Sequence, residues 1–314
     1  MQVQLDSRKR ATTSPGHDAS HDREDDVVET ISNDLKFLLP LLRKFPKCYW
    51  IWKYRLWLLD LATELLPPRL ARQFWEQELG LVGKMLALDS RNFHGWEYRR
   101  TVVEALRKPA SLPQTDTQSL TEQEFGYTTK MVNANLSNFS AWHNRSKLIP
   151  RLLDERGADK AARQKMLEDG KKRPEHGQKQ AYQYAELEFI QRALWAGDND
   201  SSLWFYHQYL MCTFDPRQAP SSIAPDLTDE ERQNYLLEEI EKVLEMEDGA
   251  EDCKWIYQAL VSMSVLYRKL TGAFPPQAAP IEGWLKTLDQ IDGLRAGRWR
   301  DMRQRLQSQS AQSK

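Results

Sequence analysis

Long apolar runs are missing from this sequence. None reaches the roughly 18 residues that a membrane-spanning helix needs, and the opening MQVQLDSRKR has no apolar core of a secretory signal. Both absences point to a cytoplasmic chain without a membrane span. Cysteine is equally sparse. Cys48, Cys212 and Cys253 are odd in number, far apart and free of C-x-x-C spacing, which fits reduced thiols better than a disulfide framework or a zinc site. Of the six histidines only His17 and His21, in the polar opening stretch, have H-x-x-x-H spacing, and no metal set of the chain's own is expected. Charge of one sign is lacking as well: 44 Lys and Arg stand against 45 Asp and Glu, whereas a nucleic-acid binder needs a concentrated basic face. The tripeptides at Asn135, Asn138, Asn144 and Asn199 match glycosylation acceptors, but three crowd onto one turn and helix in a chain without an export signal. They read as chance matches.

What the sequence does have is tryptophan, eleven residues of it, much of it in a recurring signature. The signature reads Trp52-x-x-Arg55, Trp96-x-x-Arg99, Trp142-x-x-Arg145 and, altered, Trp204-x-x-His207. The tryptophans lie 44, 46 and 62 residues apart, the period of stacked helical hairpins. Eighteen residues before each stands an acid followed by an apolar residue: Asp34-Leu35, Glu78-Leu79, Glu124-Phe125 and Glu186-Leu187. Four residues before three of them stands a helix-capping residue, Asn92, Asn138 or Asp200; in the first unit Cys48 takes that place. Each unit therefore reads as helix A, a short polar turn and an antiparallel helix B.

Tryptophan and arginine three residues apart share one face of helix B. The indole is expected to fill the seam between hairpins, and the arginine to satisfy a buried acid or carbonyl, with upstream Glu78 or Glu124 as candidates. A second reading turns some arginines toward a diphosphate or a partner chain, because a guanidinium grips oxyanions with two parallel hydrogen bonds.

Residues 1–26 are polar and read as a disordered leader; residues 306–314 read as a disordered tail. The helical-repeat domain between them covers 27–305. Its units fall at about 30–65, 74–107, 120–153 and 182–213, followed by capping helices over 227–305. Thr228 is expected to cap a helix over Leu227 to Met246, a further helix to run from Lys254 to Leu270, and a last one to start near Ala279. Two insertions, a Pro/Ser-rich loop at 107–120 and a charged stretch at 155–180, read as solvated surface.

The segments KFPKCYWIWKYRLWLL (44–59), DSRNFHGWEYRR (89–100) and NLSNFSAWHNRS (135–146) resemble the repeats of protein prenyltransferase alpha subunits. The closing LDQIDGLRAGRWRD (288–301) is similar to the end of fungal Rab-type alpha subunits. The resemblance implies an all-α superhelix of stacked hairpins, crescent-shaped, wrapped around a catalytic beta subunit. It implies a heterodimer that transfers geranylgeranyl groups from geranylgeranyl diphosphate to C-terminal cysteines of Rab GTPases, presented by an escort protein. Zinc, which activates the acceptor thiol, would belong to the beta subunit, and no catalytic residue is expected in this chain alone.

Farnesyl-transferring members of the family carry a lysine five residues before the second or third repeat tryptophan, close to the diphosphate. Here that register holds Arg91 and Ser137, which makes Arg91 the candidate diphosphate-proximal residue. His94 and His143 flank the same signatures and read as interface or surface histidines. Family members also carry a further hairpin before the Trp52 unit. In its place stands the polar leader, so a shortened gene model or an alternative start is expected, with the apolar face around Leu38, Leu39, Leu41 and Leu42 left bare. Two other readings stay open: the alpha subunit shared by farnesyltransferase and type I geranylgeranyltransferase, and a noncatalytic helical-repeat scaffold.

Overall fold

A computed structural model describes residues 17–108, 114–168, 185–218 and 222–312, and every regular element among them is helical. The chain divides into two compact units, Met1–Leu120 and Thr121–Lys314.

Unit 1 holds two hairpins, α1 (His17–Lys44) with α2 (Tyr49–Leu65), and α3 (Pro68–Leu88) with α4 (Phe93–Leu106). α3 shows how the sequence sets the packing. Pro68 opens it, where a missing N–H costs nothing. Ala71, Phe74, Trp75, Glu78, Val82, Met85 and Leu86 then recur at three- and four-residue steps and are all buried. Burial of each large apolar side chain on such a stripe contributes roughly 1.5–3 kcal/mol. α4 can lie close on α3 because Gly95 has no side chain: a Cβ there would meet Leu86 Cδ2 at 3.0 Å.

Two expectations for this unit are corrected. The first helix begins at His17, inside the stretch read as a disordered leader. Extending a helix already anchored by Ile31, Leu35, Leu38 and Leu42 is far easier than nucleating one, so a polar sequence can continue it. Nor is the Leu38–Leu42 face bare. Leu38 is 6% and Leu42 0% exposed, because steps of four, three and four from Ile31 place them on the stripe that packs against α2. Leu39 and Leu41, off that stripe, are half-buried.

In unit 2, α5 (Gln114–Ala134), whose first turns lie before the boundary, pairs with α6 (Phe139–Glu155). The helix starts at Gln114, within the stretch read as a 107–120 loop. α7 (Lys160–Leu167) follows, then the hairpin α8 (Glu186–Ala196) with α9 (Ser201–Met211) and the hairpin α10 (Asp229–Glu245) with α11 (Lys254–Thr271). α12 (Ile281–Ile291) and α13 (Ala296–Gln312) end the chain.

α7 lies in the charged insertion read as solvated. Asp159 caps it, Met166 and Leu167 are buried, and Lys160 Nζ reaches Glu231 Oε2 at 2.7 Å. Its first part is therefore docked on α10; residues 169–184 lie outside the described residues, as do the opening residues of the 182–213 repeat. Thr228 and Glu231 close a reciprocal capping box on α10. The single last helix read from the sequence is two. Asp292 is buried between them and accepts from Lys254 Nζ at 3.3 Å and from Trp299 Nε1 at 3.2 Å. α13 continues to Gln312, through most of the stretch read as a tail.

Candidate functional site

The four signature tryptophans share one geometry. Trp52, Trp96 and Trp142 each donate their indole N–H, at 2.8 Å, to the carbonyl six residues upstream: Pro46, Ser90 and Leu136. Trp204 does the same with Asp198. The buried ring is thus hooked onto its own hairpin turn, and its polar edge is satisfied. The caps complete each turn. Asn92 Oδ1 accepts from the His94 and Gly95 amides, Asn138 Oδ1 from Ala141 and Asp200 Oδ1 from Ser202. Cys48 occupies the same register in α2 and makes no side-chain cap.

The arginines lock successive hairpins together. Arg55 on α2 holds Glu78 on α3 with two hydrogen bonds, Nε to Oε2 at 3.0 Å and Nη2 to Oε1 at 2.5 Å. Arg145 on α6 holds Glu186 on α8 in the same way, at 2.9 and 2.6 Å. The acid therefore comes from the following hairpin, not from the arginine's own, because the B helix of one hairpin packs against the A helix of the next. The remaining donors are matched too: Arg55 Nη1 gives to the Leu35 carbonyl and Arg145 Nη1 to Thr129 Oγ1. Arg99 is buried beside Gly83 in unit 1.

A tyrosine two residues after the tryptophan completes each lock. Tyr98 donates to Glu78 Oε2 and Tyr206 to Glu186 Oε2, both at 2.5 Å. Burial first, then the charge and hydrogen bond of the neighbouring carboxylate, push both phenols well above their ordinary value, so they remain donors. Burial pulls the Arg55 guanidinium down, but Glu78 outweighs it and the net shift is upward. The same tyrosine rings pack on the preceding indoles, Trp52 against Tyr98 at 4.9 Å and Trp142 against Tyr206 at 4.6 Å. In the altered fourth unit His207 Nε2 faces Glu239 Oε2 at 3.5 Å, and Gln191 and Lys242 serve the other carboxylate oxygen. This set is structural. It leaves Arg55 and Arg145 no free face for a ligand.

The second set lies where the chain turns. In unit 1 the α1–α2 and α3–α4 turns are stitched together: Asn92 Nδ2 donates at 3.0 Å to the Pro46 carbonyl that also takes the Trp52 indole. Exposed on this edge are Phe45, Tyr49, Trp50 and Phe93, with Trp50 at 74% and Phe93 at 62%. Among them stand two cations. Arg91, the sequence candidate, is exposed, and its guanidinium has no partner among the described residues. Lys47 was not singled out, yet it sits five residues before Trp52, the register Arg91 holds before Trp96. Its ammonium is 73% exposed and 3.7 Å from Asp89. The Pro-Lys spacing ahead of the first tryptophan would have identified it, as W-x-Y would have identified Tyr98 and Tyr206. In unit 2 the corresponding edge shows Phe139 and Phe205, 6.0 Å apart, with Phe205 against Trp255 at 5.6 Å. A cavity of about 200 Å³ opens beside it, between α9 and α11. His94 is half-buried on the Phe93 ring, and His143 is exposed, parallel to Phe139.

Among the described residues no three His, Cys, Asp or Glu side chains gather as a metal set. No described helix is long and apolar enough to cross a membrane. Asn138 and Asn144, two of the glycosylation matches, are buried.

Comparison with known proteins places these repeats. A family model described as "Protein prenyltransferase alpha subunit repeat" matches residues 31–62, 75–106 and 121–152. The chain is 34% identical over 293 residues to "Geranylgeranyl transferase type-2 subunit alpha" of Candida albicans, covering 91% of this chain and 76% of that protein. It is 32% identical over 238 residues to the protein of that name from Schizosaccharomyces pombe, 74% of this chain and 62% of the relative. Against the human protein of the same name the identity is 32% over 195 residues, 62% of this chain and 29% of the relative.

Proposed function

This chain belongs to the family of geranylgeranyl transferase type-2 alpha subunits, and from that membership we propose that it works as one half of a heterodimeric prenyltransferase. The enzyme transfers geranylgeranyl groups from geranylgeranyl diphosphate to C-terminal cysteines of Rab GTPases presented by an escort protein. Its beta subunit carries the acceptor chemistry. Zinc belongs to the beta subunit in this reading.

The observation that carries the proposal is the division of labour along each repeat. Tryptophan, arginine, glutamate and tyrosine are consumed in holding hairpins together, while the turn edge is left rich in uncovered aromatic rings. Large exposed rings of this kind are what a permanent partner buries. Lys47 and Arg91 stand among those rings in unit 1. Cations so placed suit the departing diphosphate, whose negative charge grows as the carbon–oxygen bond breaks. The chain's part is then to complete the binding of the diphosphate and to hold the beta subunit.

The test is co-expression with a type-2 beta subunit, followed by assay of labelled geranylgeranyl transfer to escort-bound Rab. A stable, active heterodimer is expected. Transfer to acceptors ending in a CaaX box instead would move the chain to the farnesyltransferase and type I class. A stable pair without transfer would leave a scaffold.

A further inference from the structure

Asp89 links Lys47 to the backbone of Arg91 on the unit 1 turn edge. One carboxylate oxygen, Oδ1, accepts from the backbone amide of Arg91 at 3.2 Å, which closes the α3–α4 turn two residues on. The other, Oδ2, faces Lys47 Nζ at 3.7 Å across the stitched turns. The first contact needs only an oxygen acceptor. The second needs a charge, yet an exposed pair at this separation contributes little to stability. The negative charge of Asp89 is thus not required by the fold, although it lies where an anion is to bind.

We propose that Asp89 is a built-in counter-anion: its carboxylate holds the Lys47 ammonium over the α3–α4 turn beside Arg91, and the incoming diphosphate takes Lys47 from it. This rests on the diphosphate reading given above and assigns a positioning residue within it. The charge of Asp89 opposes the substrate, so it exchanges some affinity for easier release of the diphosphate product. No bond is made or broken by Asp89, and no proton need move.

The experiment uses the heterodimer with its beta subunit and the substitution Asp89→Asn, which keeps the oxygen that accepts from Arg91 and removes the charge. The KM for geranylgeranyl diphosphate and the Kd of inorganic pyrophosphate are both expected to fall about threefold at low ionic strength, the scale of one screened charge contact. The kcat and the melting temperature should hold. In a Lys47→Met background the two decreases should vanish, because the effect runs through Lys47. An unchanged or raised KM, or an equal decrease without Lys47, overturns the proposal. If the unsubstituted heterodimer transfers no geranylgeranyl group, the functional reading itself falls; if it does and Asp89→Asn changes nothing, only the role of Asp89 is lost.

Discussion

Arg55 on one hairpin and Glu78 on the next close a two-point contact, at 3.0 and 2.5 Å, that is buried on both sides. Such a pair is not a large source of net stability, because both charges were taken out of water to form it. Its strength lies in what happens when one partner is lost. Glu78→Ala leaves an unpaired guanidinium and an unpaired phenol in the seam, and should cost about 3–5 kcal/mol. The double replacement Arg55→Met with Glu78→Leu should recover most of that loss, leaving the smaller cost of Tyr98 without its acceptor. Denaturant unfolding of the two variants beside the unsubstituted chain checks it. Equal losses for the single and double variants would mean that packing, not charge pairing, holds the seam.

Much of this architecture was legible in the sequence because the repeat states each requirement several times. The hairpins, the caps at Asn92, Asn138 and Asp200, and the break before each tryptophan follow from local chemistry that acts within a few residues. What could not be read was the partner of each arginine. The distances from Arg55 back to Asp34 and forward to Glu78 are nearly the same along the chain, so spacing cannot say which acid lies across the seam. Stacking order decides it. Lys47 is hard to read for a different reason: the family register points to the second and third tryptophans, and Lys47 holds it before the first. The docked helix α7 was hidden by composition, since Met166 and Leu167 are the only large apolar residues in a charged stretch and bury only in tertiary context.

Cys48 marks the one repeat turn where capping was given up. Its backbone is extended, with φ −80° and ψ 103°, close to that of Asn92, but its side chain accepts nothing from α2. Asparagine fits this conformation and supplies the missing acceptor. Cys48→Asn should therefore stabilise the chain by about 1 kcal/mol, the usual worth of a cap. Thermal unfolding of the isolated chain measures it, and a lower melting temperature would show that Cys48 is needed for packing against its surroundings.

The docking of α7 on α10 should depend on acidity. Lys160, with the Thr228 amide and Gln164, holds the Glu231 carboxyl down at about 2, from an ordinary value of 4.5. A carboxyl depressed in the folded state binds its proton more readily when unfolded. Its contribution is therefore complete above about pH 4.5 and fades as pH falls toward 2. The pair is partly exposed and screened, so the contribution is at most about 1 kcal/mol. Glu231→Gln should lower the melting temperature at pH 7 and leave it unchanged near pH 2. A deficit that persists in acid would point to lost packing instead of lost charge.

Lys47 and Arg91 should separate binding from folding. Both head groups are exposed and neither supports the seam, so Lys47→Ala and Arg91→Ala should melt with the unsubstituted chain. If the pair meets the diphosphate, its interaction strengthens as the leaving group gathers charge, and such an interaction shows in kcat more than in KM. Each loss should slow transfer by about ten- to a hundredfold, the size of one charge-assisted hydrogen bond at roughly 1.5–3 kcal/mol. Arg91→Lys should keep most of the rate, because an exposed point charge can replace a guanidinium that makes no paired contact of its own. Lys47→Arg should do the same. Single-turnover transfer by the heterodimer gives the chemical step free of product release. A full rate for both alanine variants would return the two cations to the solvent and leave the aromatic rings alone as the working part of this edge.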